Sequence, residues 1–380
     1  MRILQITPAY KPAFVYGGPT VSVALLSEHL VKGGVEVRVL TTTANGPAEL
    51  NVATGTEQQV DGVPVTYFKR ITKDHTHFSP ALLTHLWKSV RQYDVVHVHG
   101  WWNTVSMLSA FIATFRGKLV VISPRGMLSS YSFDNRNSGK KGMLHRFLGK
   151  PLLQKSFIHS TTQNEYNAID KLVKTKGIFD IPNFVSFNSK EGQAEISDHE
   201  ELQMVFFSRI EEKKGLDILL NALRYVKHPY HLTIAGDGEA AYVESLKSIA
   251  LQNGISDKLS WVGFQTGNKF EYLSGFDLMV LPSHDENFGN VVVESLSVGT
   301  PVLLSENVGL SDYVFKNKLG WVCRLDDKLF SDAINTVSEQ KDEIIRIRAA
   351  APGKIKEDFN DAAILQRYIE MYETVIKASI

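Results

Sequence analysis

Residues 281–301 read Leu281-Pro282-Ser283-His284-Asp285-Glu286-Asn287-Phe288-Gly289-Asn290-Val291-Val292-Val293-Glu294-Ser295-Leu296-Ser297-Val298-Gly299-Thr300-Pro301. The apolar run from Leu278 to Leu281 is a strand that stops at Pro282, and a polar loop carrying Glu286 follows. Gly289 lets a helix begin close to a ligand, and Gly299 with Pro301 closes that helix and opens the next strand. Residues 278–304 are therefore one β-α-β unit. Glu286 and Glu294 are separated by eight positions of mostly helical rise, which puts their carboxylates up to roughly 12 Å apart. Two readings stay open on pattern alone. The pair could grip opposite ends of one elongated ligand, with the helix N-terminus aimed at an anion between them. Alternatively Glu294 faces solvent and Glu286 merely neighbours an N-cap.

The same alternation of short β-branched runs and longer amphipathic stretches continues almost from end to end, the pattern of an α/β protein with parallel sheets. Strands are expected at 2–7, 36–42, 63–68, 94–99, 118–123 and 156–161, then at 202–208, 231–235, 259–262, 278–281 and 301–304. At roughly 150 residues per domain, 380 residues make two domains. Ser186 to Glu201, rich in Asn, Ser, Gly and acids, reads as the linker. The economical arrangement is two Rossmann-like domains, 1–190 and 191–360, facing each other across a cleft, with a final helix over 361–380. In such sheets ligands bind beyond the carboxyl ends of the strands.

Composition excludes whole classes. Hydrophobic residues make up 43% and charged residues 22%, ordinary for a globular chain. The single cysteine, Cys323, rules out an internal disulfide and a multi-thiolate metal site, and favours a reducing, cytoplasmic setting. The first ten residues lack the charged start and cleavage site of a signal peptide and read as a strand. Net charge is zero, but residues 1–190 hold 22 Lys and Arg against 11 Asp and Glu, whereas the remainder holds 19 against 30. A basic half implies an anionic surface or ligand. Positive charge is densest over 131–155, at Arg136, Lys140, Lys141, Arg146, Lys150 and Lys155 against Asp134 alone. Leu144, Phe147, Leu148, Leu152 and Leu153 interleave with these charges at near-helical spacing. The segment is either a solvated helix face or a contact with an anionic membrane surface. Nucleic acid is not expected, since neither half carries a binding module.

Other candidates follow strand ends. Gly17-Gly18-Pro19 precedes a helix and suits either an anion at its N-terminus or a steric turn. It is neither a Walker loop nor a dinucleotide fingerprint. Only the last residue of the 94–99 strand should reach the cleft, so His99 is the candidate and His97 a core histidine. Arg125 follows the next strand and suits a carboxylate, a phosphate or a domain-interface ion pair. Arg209 and Lys214 flank a helix start, where cations are unfavourable unless something negative lies between them; a diphosphate fits. Gly236-Asp237-Gly238 is a glycine turn after another strand. Glu165, in Thr162-x-x-Glu165, reads as a capping box and therefore structural. The scattered histidines have no metal-ligand spacing, and no Gly-x-Ser-x-Gly elbow appears.

Taken in order, the Gly17-Gly18 loop, the 94–99 strand end, Arg209 with Lys214-Gly215, Gly236-Asp237-Gly238, Val262-Gly263-Phe264 and Glu286-x7-Glu294 with Gly299-x-Pro301 resemble the retaining nucleotide-sugar glycosyltransferases of family 4, which have the GT-B fold. Ser123-Pro124-Arg125-Gly126-Met127-Leu128 further resembles members found in bacterial surface-polysaccharide assembly. The resemblance implies transfer of a hexose or N-acetylhexosamine from a nucleoside-diphosphate sugar, UDP favoured over GDP, to a glycan or lipid-linked acceptor. It implies that Arg209 and Lys214 neutralise the diphosphate, helped by Gly17, Gly18 and the amides of Gly289 and Asn290. Glu294 would hold the ribose, Glu286 with Asn287 and Phe288 the donor sugar, His99 the sugar from the opposite domain, and backbone near Gly236, Gly263 and Phe264 the base. Arg125 would face the acceptor. The anomeric configuration would be retained without an established covalent enzyme intermediate, and no metal or other cofactor would be required. The helix over 361–380 would return to the N-terminal, acceptor-binding domain. Val35 and Phe184 depart from the family pattern without touching these roles. Two other outcomes are a sugar-nucleotide-binding module without catalysis and a GT-B epimerase or phosphorylase. The setting implied is cytoplasmic, with peripheral contact on the inner face of the cell membrane.

Overall fold

A computed structural model describes residues 1–129, 131–132, 142–186, 200–265 and 267–378. The chain divides into two compact units, Met1–Phe184 together with Asp361–Ile380, and Val185–Asn360. Most of the linker expected over 186–201 lies outside the described residues.

In the first unit eight strands lie side by side in the order Gly177–Asp180, Phe157–Ser160, Leu119–Ser123, Val95–His99, Arg2–Ile6, Glu36–Thr42, Val63–Phe68, Glu57–Val60. All neighbours are parallel except the last pair, which is antiparallel. Val95–His99 is buried at every position, as a strand covered on both faces is, which is why its sequence shows no polar-apolar alternation. One face packs Leu4, Ile6, Val96, Val98 and Ile122 against Leu82, Leu86 and Val105. The other packs Val39, Val63, Val65 and Tyr67 against Val23 and Ala24.

The second unit has six strands, all parallel, in the order Leu259–Gly263, Tyr230–Ala235, Leu202–Phe207, Leu278–Leu281, Val302–Ser305, Gly320–Cys323. Its core centres on Met204, Phe206, Leu232, Leu278 and Val280 under Leu219, Leu220 and Phe330.

Strand order reverses once in each sheet. The reversal falls between Arg2–Ile6 and Val95–His99 in the first, and between Leu202–Phe207 and Leu278–Leu281 in the second. Loops leaving adjacent strands there diverge to opposite faces and open a crevice. Gln5 and His99 lie on the two strands that flank the first reversal; Arg209 and Glu286 follow the strands that flank the second.

The C-terminal helix, Asp361–Lys377, packs in the first unit. Asp361 lies 3.2 Å from His29, Leu365 fills the space over Gly33, and Tyr368 and Tyr372 are buried beside His159 and His97. Phe184 stacks on His29 with ring centroids 4.2 Å apart and also lies against Tyr368, so the residue that departs from the family pattern is a packing anchor for this helix.

Candidate functional site

In the second unit the loop after Leu202–Phe207 and the loop after Leu278–Leu281 are pressed together. A β-carbon on Gly215, whose φ is +66°, would lie 2.0 Å from the carbonyl oxygen of Pro282. His284 N–H donates to the Lys213 carbonyl at 2.9 Å. This contact brings two ion pairs into register, Lys213 with Asp285 at 2.8 Å and Lys214 with Glu286. The Glu286 backbone is itself fixed, bonding to Asn307 and Gly309. Burial alone would raise the Glu286 carboxyl, but Lys214, with Lys213 and Arg209 behind it, outweighs burial and holds it below the usual carboxylate range.

Three residues on, Gly289 has a φ of +85° and caps the helix Asn290–Ser297. Its left-handed backbone, unfavourable for residues with a β-carbon, lets the chain turn directly from the Glu286 loop into the helix. Glu294 lies on that helix, only 9% exposed, and its Oε1 accepts from Lys269 Nζ at 2.6 Å. The solvent-facing alternative for Glu294 is thereby overturned.

The remaining candidates of this unit divide. Phe264 is exposed, and its N–H donates to Asp237 Oδ1 at 3.1 Å, tying the Gly263-Phe264 turn to the Gly236-Asp237-Gly238 turn. Asn287 and Asn290 flank the helix start and are half-buried. Arg209 pairs with Glu211 at 2.6 Å. Phe288 requires a correction: its ring is buried against Phe359, centroids 6.1 Å apart, so only its backbone is available to a ligand.

In the first unit Gly17, with a φ of +66°, caps the helix Gly18–Lys32. His99 requires a second correction. It does not reach an open edge but is 1% exposed, with Nε2 on Gln5 Oε1 and Nδ1 3.3 Å from two nitrogens of Arg125. Burial, with His97 and Arg125 nearby, pushes its pKa well below the ordinary histidine value. Arg125 stands on left-handed backbone at φ +55° and also donates to Ser22 Oγ at 2.8 Å and Asn183 Oδ1 at 3.1 Å. These partners are all uncharged. Glu165 accepts from Gly126 N–H at 2.6 Å and from Thr161 N–H at 2.9 Å. It thus reaches past its own N-cap, Thr162, to hold the turn that carries Arg125.

Over 131–155, Arg136, Lys140, Lys141 and Asp134 lie outside the described residues. In the segment that is described, the apolar side chains do not share a face: Leu152 and Leu153 belong to the core, whereas Met143, Leu144 and Phe147 point outward, Phe147 75% exposed. Among the described residues no helix is long and apolar enough to cross a membrane.

The model of the glycosyltransferase family 4 domain matches residues 16–186, and that of the glycosyl transferases group 1 domain matches residues 188–354. The chain is a GT-B glycosyltransferase. It is 25% identical over 346 residues to an uncharacterized glycosyltransferase of Methanocaldococcus jannaschii, covering 83% of each. It is 26% identical over 186 residues to the amylovoran biosynthesis glycosyltransferase AmsK of Erwinia amylovora, covering 46% of this chain and 45% of that one. The crystal structure of Anabaena HepE, solved with UDP and glucose, superimposes with a TM-score of 0.74 at 18% identity over 98% of this chain and all of that one.

Sequence reasoning about this glycosyltransferase misses the partners of its candidate residues. Lys269, Gln5, Ser22, Asn183 and Tyr372 stand in no motif, and they reach Glu294, His99, Arg125 and His97 only through the tertiary fold. A lone lysine at a helix start was the only local signal for Lys269.

Proposed function

We propose that this glycosyltransferase moves a hexose or N-acetylhexosamine from a UDP-sugar to a glycan or lipid-linked acceptor, with retention of anomeric configuration, in polysaccharide or glycoconjugate biosynthesis. The observation that carries the reading is the pairing of Lys214 with Glu286 at the second sheet's reversal, beside the helix that starts at Gly289. A diphosphate arriving there meets a cation, the amides of Gly289 and Asn290, and a helix N-terminus, all of which favour negative charge. UDP and a polysaccharide product are favoured because HepE, of similar fold, is solved with UDP and AmsK, of similar sequence, is an amylovoran biosynthesis glycosyltransferase.

In this reading Lys214 leaves Glu286 for the β-phosphate, and Arg209 swings from Glu211 to join it. Glu286, released, accepts hydrogen bonds from the donor sugar and faces the positive charge that develops at its ring. Glu294 accepts from the ribose hydroxyls, and the backbone at Gly236, Gly263 and Phe264 meets the base. The bond from the anomeric carbon to the phosphate oxygen breaks, and the acceptor oxygen bonds to the same face of that carbon. Its proton passes to the departing phosphate. The lysine and arginine stabilise the leaving group, so the reaction runs without a bound metal. Gly17, Gly18 and Arg125 serve from the first unit, Arg125 towards the acceptor.

The test is a thermal-shift comparison of UDP, GDP, ADP and their sugars, followed by NMR of the anomeric proton of the product formed on a lipid-linked acceptor extract. A melting temperature raised by UDP compounds alone and an unchanged anomeric configuration support the reading. No shift at millimolar nucleotide, or an inverted product, removes it.

A further inference from the structure

Among the described residues two arginines are buried, Arg70 and Arg348, and each has a carboxylate beside it. Arg70 Nε lies 2.7 Å from Glu49 Oε1, and Arg348 Nη2 lies 3.5 Å from Asp277 Oδ1. Burial of a guanidinium requires this, because a desolvated charge is costly unless an opposite charge stands next to it. Arg125 is half-buried and has no such partner. The two donors on its Nη1 go to Ser22 Oγ at 2.8 Å and Asn183 Oδ1 at 3.1 Å, whereas Nε and Nη2 converge on the one lone pair of His99 Nδ1, 3.3 Å from each. An arginine has five N–H donors, so one on Nη2 is left without an acceptor among the described residues. Burial keeps His99 uncharged, so every acceptor around the guanidinium is neutral.

The surroundings add to the charge of Arg125 rather than cancel it. Glu165, which holds the same turn, spends Oε1 on Gly126 N–H at 2.6 Å and Oε2 on Thr161 N–H at 2.9 Å. Burial pulls the Arg125 pKa below its ordinary value despite the Glu165 charge. Ser22 belongs to the helix Gly18–Lys32, whose first turn contains no acid and whose cap, Gly17, offers no side chain to the amides. A helix start carries partial positive charge, so the guanidinium and the helix end have the same sign. Arg125 also stands on left-handed backbone, φ +55°, which is unfavourable for a residue with a β-carbon. It follows the strand Leu119–Ser123 at the carboxyl edge, where sheets of this kind bind their ligands.

We infer that the acceptor presents an oxyanion, a phosphate or a carboxylate, to Arg125 and so supplies the counterion that the fold omits. The unused Nη2–H makes the hydrogen bond to it. A neutral sugar hydroxyl could satisfy that N–H but would leave the charge as it is. Two kinds of acceptor carry such a group, through the diphosphate of a lipid carrier or the carboxylate of a uronic acid in a glycan. The inference rests on the proposed role of Arg125 towards the acceptor.

The experiment is thermal-shift titration of the full chain with inorganic pyrophosphate, methyl glucuronide and, as the neutral control, methyl glucoside. Wild type, Lys214→Ala, Arg125→Gln and Ser22→Asp are compared. Lys214→Ala removes the cation of the proposed donor site, so a response that persists there comes from elsewhere. Wild type and Lys214→Ala should both be stabilised by at least one of the anions at millimolar concentration, and not by the glucoside. Arg125→Gln loses a charge-assisted hydrogen bond and should weaken that anion by about tenfold or more. Ser22→Asp places a counterion against Nη1 and should abolish the response with the guanidinium still present. A response to pyrophosphate alone identifies a lipid diphosphate, and one to the glucuronide alone an acidic glycan. No response to either anion in the wild type overturns the inference, and so does a wild-type response in Arg125→Gln or, if that variant does not fold, in Ser22→Asp. A wild type that binds the anion but shows no shift with UDP would instead count against the transferase reading and leave the anion site standing.

Discussion

Lys214 and Glu286, 72 positions apart, form an ion pair where two strand-end loops meet in the second unit. The pair links the two sequence features that point to a diphosphate and a sugar site, and under the proposed function a donor would enter a site already occupied by its own charges.

Removing either partner should therefore have different consequences. Lys214→Ala takes away the charge proposed to stabilise the leaving group, and turnover should fall by roughly two to three orders of magnitude, with weaker donor binding. Glu286→Gln should lose turnover to a similar extent while still binding nucleotide, because its proposed contacts are with the sugar. Steady-state kinetics beside calorimetric titration with UDP separates the two. Equal loss of UDP affinity in both variants would contradict the division of roles.

The pair also predicts a pH signature in stability. The Glu286 carboxyl is held below its ordinary value of 4.5, so the native state favours the charged form. Its contribution is complete above pH 4.5 and disappears as pH falls through the lower native value. The gap in melting temperature between wild type and Glu286→Gln should thus be widest near neutrality and shrink in acid. A gap constant from pH 7 to pH 3 would show that the carboxylate charge is not what the fold responds to.

Gly215 should be far less tolerant than a glycine of similar backbone. Its added β-carbon would collide with the Pro282 carbonyl at 2.0 Å, whereas Gly254, also at φ +66°, has nothing within 4 Å. Gly215→Ala should cost about 2–4 kcal/mol, since it adds a clash to the backbone strain, and Gly254→Ala only about 1 kcal/mol. Denaturant unfolding of the two variants side by side measures the difference, and equal costs would mean that the loops are not in contact.

What could be read from the sequence follows from where each interaction is local. All eleven expected strands are present within one residue at each end, because buried parallel strands must be apolar throughout. Glu57–Val60, Gly177–Asp180 and Gly320–Cys323 were not foreseen. Each is a sheet-edge strand of four residues with no fully buried position, so its conformation comes from the neighbouring ladder rather than from its own side chains. The site divides in the same way. Glu286 and Gly289 announce themselves by residue type after a strand, but the burial of His99 and the pairing of Glu294 with Lys269 arise from packing and leave no local trace.

The outward side chains near residue 147 bear on membrane contact. Phe147 is 75% exposed beside Met143 and Leu144, with Arg146 and Lys150 close in sequence, a composition suited to the boundary of an anionic bilayer. Phe147→Ser should reduce partitioning onto vesicles containing anionic lipid. Lys140→Glu with Lys141→Glu should do so as well, and neither should affect partitioning onto neutral vesicles. Unchanged co-sedimentation in both variants would remove the membrane from consideration.

Glu294 and Lys269 give the final prediction. A carboxylate has about four lone-pair sites, so Glu294 can keep Lys269 on one oxygen and accept from ribose hydroxyls with the rest. Lys269 then orients the carboxylate rather than competing with the donor. Glu294→Ala removes hydrogen bonds to a charged acceptor, worth about 1.5–3 kcal/mol, so Kd for the nucleotide should rise more than about tenfold. Lys269→Met should raise it by a smaller factor in the same direction, because the acceptor remains but its placement loosens. Titration with UDP distinguishes the cases: tighter binding in Lys269→Met would mean that the lysine blocks the ribose position and must be displaced for the donor to enter.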